Sequence, residues 1–190
     1  MSRLLGAVKE GVLEMGILNS VREWRGRRVL VGNFKALHRY LVSNGWQYEG
    51  DAERQILCGR SVPNEAGDEV SFEIGYTEMN MYAVMTLKLD VPQDRIAEIA
   101  ELVCRMNPGT MVGHFELDVE GRKIRYRVKI PHEEFHHESQ NKADRMMLFP
   151  IIMLTLAKPA FAKVIKGEAS VVDAFRECEG RKEAQAKEGA

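Results

Sequence analysis

The strongest constraint on the fold is the recurrence of an apolar residue at every second position on both sides of a short polar turn. Every second residue from Val70 to Tyr76 is apolar, and after residues 77–80 the alternation resumes from Met81 to Leu89. A period of two places alternate side chains on one face of a β-strand. The pattern therefore predicts an antiparallel hairpin with one buried face.

A second hairpin is predicted farther along the chain, and charge as well as hydrophobicity indicates its register. A two-residue turn at Glu120-Gly121 would join its strands. The predicted cross-strand pairs are Phe115 with Tyr126 and Leu117 with Ile124 on the buried face, and Glu116 with Arg125 and Asp118 with Lys123 on the other face. Each opposite-charge pair contributes roughly 0.2–1 kcal/mol. His114 is expected on the outer surface opposite Arg127, where we interpret it as a surface residue rather than a base.

Apolar residues at helical spacing occur before, between and after these hairpins. The predicted helices begin at Asn33 and end at Asn44-Gly45, begin at Asp90 or Val91 and end at Asn107-Pro108-Gly109, begin near Asp144 and end at Gly167, and begin after a Ser170–Asp173 capping box. Pro150 and Pro159 are expected to kink or interrupt the third helix. With one more strand near Arg54 to Gly59, the sequence predicts an α+β fold in which helices flank an antiparallel sheet of about five strands.

The length of 190 residues favours one domain with additional segments at both ends. Residues 1–31 are predicted to form an N-terminal extension that contains an amphipathic helix and a basic stretch around Trp24. Residues 32–176 form the α+β domain, and residues 177–190 are a charged tail, predicted as a frayed helix or a disordered segment.

Charge and cysteine content restrict the class of function. Twenty-seven basic and 28 acidic residues give a net charge of -1, which argues against nucleic-acid binding. Three separated cysteines without a CxxC spacing favour a reducing compartment. The uncharged run Met146–Ala157 is too short to cross a bilayer, and no apolar signal-peptide core precedes it. We therefore expect a cytoplasmic protein that does not enter the membrane.

One string has the form of a metalloprotease motif. His132-Glu133-Glu134-Phe135-His136 satisfies HExxH, in which two histidines one helical turn apart bind zinc and the glutamate activates water. Pro131 directly precedes the string at the end of a predicted strand, and no third ligand is recognisable. We interpret the string as a polar connector, with incidental metal binding by His132, His136 and His137 as an open alternative.

Other common catalytic signatures are absent from the sequence. No Gly-rich phosphate-binding loop or nucleophile elbow occurs. No catalytic, cofactor-binding or metal-binding residue is therefore predicted, and no cofactor is expected. Six methionines are interpreted as core residues, with an adaptable binding surface as the alternative. They are Met79, Met81, Met85, Met146, Met147 and Met153.

The chain resembles the YbjN family of bacterial proteins. The resemblance lies in Asn107, Gly113-His114-Phe115-Glu116-Leu117-Asp118, Gly121 with the strand Arg122 to Ile130, and the segments Pro159 to Phe161, Val164 to Ser170 and Asp173 to Phe175. It covers about residues 33–176 and departs from the family in the apolar segment Met146–Ala157. The resemblance implies the fold of type III secretion chaperones, commonly dimeric, without assigned catalytic residues, and a role as a sensory-transduction regulator.

The sequence thus predicts a non-enzymatic protein-binding module, chaperone-like or regulatory. A partner segment would add to a sheet edge or dock in an apolar helix groove. We expect a homodimer that buries the helix from Met146 to Ile165. Two alternatives remain: a zinc-dependent hydrolase using His132, Glu133 and His136, and a peripheral membrane or scaffold protein docked through residues 1–18.

Overall fold

The structure, a computed structural model, describes residues 37–51, 56–60, 70–77, 79–131 and 140–188. These residues form six strands and four helices. In chain order the elements are α1 (37–43), β1 (Gln47–Asp51), β2 (Ile56–Arg60), β3 (Val70–Tyr76), β4 (Asn80–Asp90), α2 (Ile96–Met106), β5 (His114–Asp118), β6 (Lys123–Pro131), α3 (Gln140–Lys166) and α4 (Val171–Glu188). Single 3-10 turns at Gln93–Arg95 and Asn107–Gly109 flank α2. The predicted α+β class is confirmed.

The sheet has one strand more than predicted. Its strand order is β1-β2-β3-β4-β6-β5, and every neighbouring pair is antiparallel. The additional strand is β1, whose sequence Gln-Tyr-Glu-Gly-Asp carries two acids and a glycine. These residues have low strand propensity, and β1 lies at a sheet edge, where pairing on one side alone holds it in place. The sequence therefore lacks the apolar alternation by which the other strands are recognised.

Both predicted hairpins form with the predicted faces. Strand β3 pairs with β4 from Val70 opposite Leu87 to Tyr76 opposite Met81. Strand β5 pairs with β6 in the predicted register, with Phe115 opposite Tyr126. The alternate apolar residues lie on the buried face, because a shift of the pairing by one residue would move every side chain to the other face of the sheet.

The turn between β5 and β6 differs from the prediction. The last paired residues are Asp118 and Lys123, so four residues, 119–122, form the loop. Arg122 adopts a left-handed conformation with φ of 52°, and the backbone N–H of Gly121 donates to Asp118 Oδ1 at 3.1 Å. Lengthening a two-residue turn to four residues takes one residue from each strand. The register is consequently unchanged.

The helices pack on one face of the sheet and enclose a single core. Helix α3 packs against β4 and β6, α2 packs against β5, and α4 packs against α2 and α3. Phe115 is buried in this core, with its ring 4.8 Å from that of Tyr126 and 5.8 Å from that of Phe161, measured between centroids. Five of the six methionines considered above are buried core residues, while Met79 is 75% exposed; the buried ones are Met81, Met85, Met146, Met147 and Met153.

Helix α3 begins earlier than predicted and continues through both of its prolines. Each proline removes one backbone donor, yet Pro150 is buried and the packing of the surrounding apolar residues keeps the segment helical. The helix ends where expected, at Gly167, whose φ is 72°. The Ser170 cap is confirmed, since Ser170 Oγ accepts from the backbone N–H of Asp173 at 3.2 Å.

The structure describes the C-terminal end of the chain as far as residue 188, whereas at the N-terminal end the description begins at residue 37. Helix α4 extends to Glu188, so residues 177–188 of the predicted tail are helical. The predicted extension, residues 1–31, lies outside the described residues, as does the proposed N-cap Asn33. The end of the first helix is described: Leu37 and Leu41 are fully buried, and Gly45 has a positive φ of 69° directly after Asn44.

Candidate functional site

Helix α3 carries two aliphatic side chains that the fold does not cover. Leu148 is 40% exposed and Ile152 is 46% exposed. They are four residues apart, so they lie one above the other on the outer side of the helix. The opposite side is buried against the sheet and α4. We call Leu148 and Ile152 the α3 stripe.

The rest of this helix face is partly polar. Arg145 precedes the α3 stripe and Pro159 follows it, and both are exposed. Ile151 and Thr155, on the same side, are partly buried. An apolar centre with a polar rim is the composition of a protein–protein contact.

Helix α3 is also the most membrane-like segment among the described residues. Its segment Ala143–Lys166 is long and apolar enough to span a bilayer by length and composition alone, and less than half of its most apolar part is buried. Core helices of soluble proteins meet the same criterion. The shortness of the uncharged run Met146–Ala157 therefore does not exclude that the longer helix spans a membrane.

The face of the sheet that the described helices leave uncovered carries paired charges. Glu116 accepts from Arg127 Nε at 2.6 Å and lies 3.0 Å from His114 Nε2. Partial burial acts to raise the pKa of Glu116, but the hydrogen bond and charge of Arg127, with a further contribution from His114, outweigh it and lower this pKa below the ordinary value of 4.5. His114 lies on the outer surface opposite Arg127, as predicted.

The same surface extends to the middle of the sheet through Tyr82. The Tyr82 hydroxyl donates to Glu73 Oε1 at 3.3 Å, and the Arg127 guanidinium lies 5.5 Å from the centre of the Tyr82 ring. The ring lies over Gly75, where any side chain would overlap it. These groups stabilise one another. In the described part of the sheet, Glu73, Tyr82, Arg127 and Glu116 thus form one connected network. The side-chain partner of His114 in this network is the carboxylate of Glu116, not a nucleophile.

The edge of the sheet at β5 is held by the turn that follows α2. Asn107 Oδ1 accepts from the backbone N–H of Phe115 at 2.7 Å, and Asn107 Nδ2 donates to the carbonyl oxygen of Phe115 at 3.1 Å. The Tyr126 hydroxyl donates to the carbonyl oxygen of Val112 at 2.5 Å. Burial raises the pKa of Tyr126 to about 12, although a hydrogen bond with Thr110 opposes the shift.

The structure does not decide the zinc hypothesis. His132, Glu133, His136 and His137 lie outside the described residues. Among the residues that the structure does describe, no group of three or more His, Cys, Asp or Glu side chains is placed to hold a metal ion. Zinc binding by the HExxH string therefore stays a hypothesis from the sequence.

The role of Asn107 was missed from the sequence, although Asn107 belongs to the pattern that carries the family resemblance. A signal for it existed. An asparagine in a tight turn shortly before a predicted strand has the donor and the acceptor that the strand leaves unpaired if it lies at a sheet edge.

Comparison with known proteins identifies a family. A family model described as "YbjN: Putative bacterial sensory transduction regulator" matches residues 33–134, which is more than half of the chain. No curated protein and no solved structure matches the chain. The resemblance to type III secretion chaperones consequently stays an expectation. The matched range contains the sheet, α2 and the Asn107 turn, and the chain belongs to the YbjN family.

Proposed function

We propose that this protein is a non-enzymatic, cytoplasmic regulatory protein that binds other protein chains through the α3 stripe, and that a second copy of itself is one of them. The observation that carries the proposal is the partial exposure of two large aliphatic side chains, Leu148 and Ile152, on one side of helix α3. Membership of a family described as regulators supports a binding role. The charges on the outer sheet face support it as well, because within the described strands they pair with one another.

The energy of burial limits how small the contact can be. Fully burying a Leu or Ile side chain contributes roughly 1.5–3 kcal/mol, and Leu148 and Ile152 are already more than half buried. Together they supply roughly 2 kcal/mol, whereas a micromolar Kd needs about 8 kcal/mol. The contact must therefore extend along the helix, with Arg145 and Pro159 at its rim.

Light scattering over a range of protein concentrations tests the proposal. The wild-type chain is expected to form a dimer, and a variant with Leu148→Glu and Ile152→Glu is expected to be monomeric, because the new charges cannot be buried without a partner. Val42→Glu is the matched control, since Val42 is 51% exposed on α1. A wild-type chain that is monomeric at every accessible concentration would contradict the homodimer.

The hydrolase alternative has a separate test. Elemental analysis of the purified protein is expected to find no stoichiometric zinc. Stoichiometric zinc in the wild type that disappears on replacing His132 and His136 by alanine would favour the metalloenzyme and remove the non-enzymatic assignment.

The membrane alternative is tested by sedimentation with vesicles that contain anionic lipid. The proposal expects the protein to stay in the supernatant. Sedimentation that is lost on deleting residues 1–18 would favour docking through the N-terminal segment. Sedimentation that is lost with Leu148→Glu and Ile152→Glu would assign the α3 stripe to lipid instead of protein.

A further inference from the structure

Strand β5 lies at one edge of the sheet. An edge strand ordinarily offers its outward N–H and C=O groups to another chain. Here both outward groups of Phe115 are already bonded. The side-chain amide of Asn107 accepts from the N–H at 2.7 Å and donates to the C=O at 3.1 Å. A carboxamide has the donor and the acceptor of a peptide group. Asn107 therefore takes the place of one residue of a neighbouring strand.

The carbonyl oxygen of Gly113, just ahead of β5, also lies within hydrogen-bond distance of a side chain of this turn. Gly113 precedes β5 by one residue and lies two residues before Phe115. The Thr110 hydroxyl lies 2.9 Å from the carbonyl oxygen of Gly113 and 2.8 Å from that of Asn107, and it donates its one proton to either. The backbone N–H of Thr110 also donates to the carbonyl oxygen of Asn107 at 3.0 Å, which closes the turn. The turn from Asn107 to Thr110 thus covers the first half of the edge.

We propose that Asn107 is an edge cap that keeps β5 from pairing with another strand, and that without it β5 pairs with β5 of a second copy. The inference is independent of the proposed function, which concerns helix α3. It also limits how partners bind, since strand addition at β5 requires displacement of Asn107.

The sequence of β5 favours a second copy as the occupant. In an antiparallel pair of two β5 strands centred on Phe115, the two Phe115 residues exchange both of their backbone hydrogen bonds. The same register places His114 of each copy opposite Glu116 of the other copy, an attractive pair when the imidazole is protonated. Such a two-fold contact is closed and joins two sheets into one.

Light scattering of Asn107→Ala tests the inference. We expect the mass of the dominant species to rise at least about twofold over the wild type, because a dimer joined through α3 carries two β5 edges. The rise should persist when Leu148→Glu and Ile152→Glu are also present, which separates edge pairing from association through α3. Asn107→Asp is the matched control: its carboxylate still accepts from the Phe115 N–H and places a charge on the edge, so its mass should equal that of the wild type.

Folding is checked by circular dichroism. A folded Asn107→Ala protein with the wild-type mass at every concentration would overturn the edge cap. If Asn107→Ala does not fold, Asn107→Ser takes its place, because a serine hydroxyl cannot reach both groups of Phe115. Loss of the fold in both variants would assign Asn107 to stability alone and would equally overturn the inference.

Discussion

Glu116 is bonded to Arg127 at 2.6 Å, although the residue directly opposite Glu116 across the hairpin is Arg125. The same displacement recurs at Asp118, which lies opposite Lys123 and accepts from Arg125 at 2.5 Å. The right-handed twist of a two-stranded ribbon brings diagonal neighbours within reach of long side chains. Glu116 and Asp118 therefore each pair with the cation two residues beyond the one directly opposite on β6.

The pairing of Glu116 predicts a dependence of stability on pH. Because its pKa is lowered in the folded protein, the stability that its carboxylate provides is present above the ordinary value of 4.5 and is lost as the pH falls through the lowered pKa. Glu116→Gln should cost about 1 kcal/mol or less at neutral pH, since both partners are near the surface. Urea unfolding at several pH values should show this difference shrinking in acid; a constant difference would rule out the ion pair as its source.

Hydrophobic alternation predicts the faces and the register of both hairpins because a shift by one residue would turn Phe115 and Tyr126 out of the core. It does not predict which charges meet, since that depends on twist and side-chain reach. It also fails at β1, where an edge strand needs no apolar face. The continuity of α3 through Pro150 depends on tertiary packing, which local propensity does not contain.

The conformation of Gly113 predicts a large effect of one methyl group. Gly113 has a φ of +78°, and an added Cβ would overlap the backbone carbonyl oxygen of Arg127. Gly113→Ala should therefore lower the free energy of unfolding by at least about 2 kcal/mol.

Gly180 provides the matched control for Gly113. It lies inside α4, and an added Cβ would meet nothing within 4 Å. Gly180→Ala should raise stability by roughly 0.5–1 kcal/mol through helix propensity. Chemical denaturation measures both changes, and equal effects of the two substitutions would contradict the geometry of the β5 edge.

The buried hydroxyl of Tyr126 predicts an alkaline loss of stability. Burial favours the neutral phenol, so the contribution of Tyr126 is complete below its ordinary pKa of 10.0 and is lost as the pH rises through about 12. Tyr126→Phe should cost roughly 0.5–1.5 kcal/mol at neutral pH through the lost bond to Val112.

The pH dependence of Tyr126→Phe separates the hydroxyl from the packing of the ring. Thermal unfolding should show a flatter decline above pH 10 for the variant than for the wild type. The variant must be compared with the wild type at each pH, because burial also raises the pKa of Tyr40 and Tyr76 and both contribute to the alkaline decline. Identical alkaline declines in the two proteins would show that Tyr126 does not titrate with unfolding.

Cysteine cross-linking at the α3 stripe tests the central claim most directly. Leu148→Cys and Ile152→Cys are each made in a Cys104→Ser background, because Cys104 is exposed, and Val42→Cys in the same background is the control. Under mild oxidation at least one stripe variant should give a disulfide-linked dimer on a non-reducing gel, since the stripe contacts its own copy. If neither forms more dimer than Val42→Cys, the stripe is not the interface and the account is wrong.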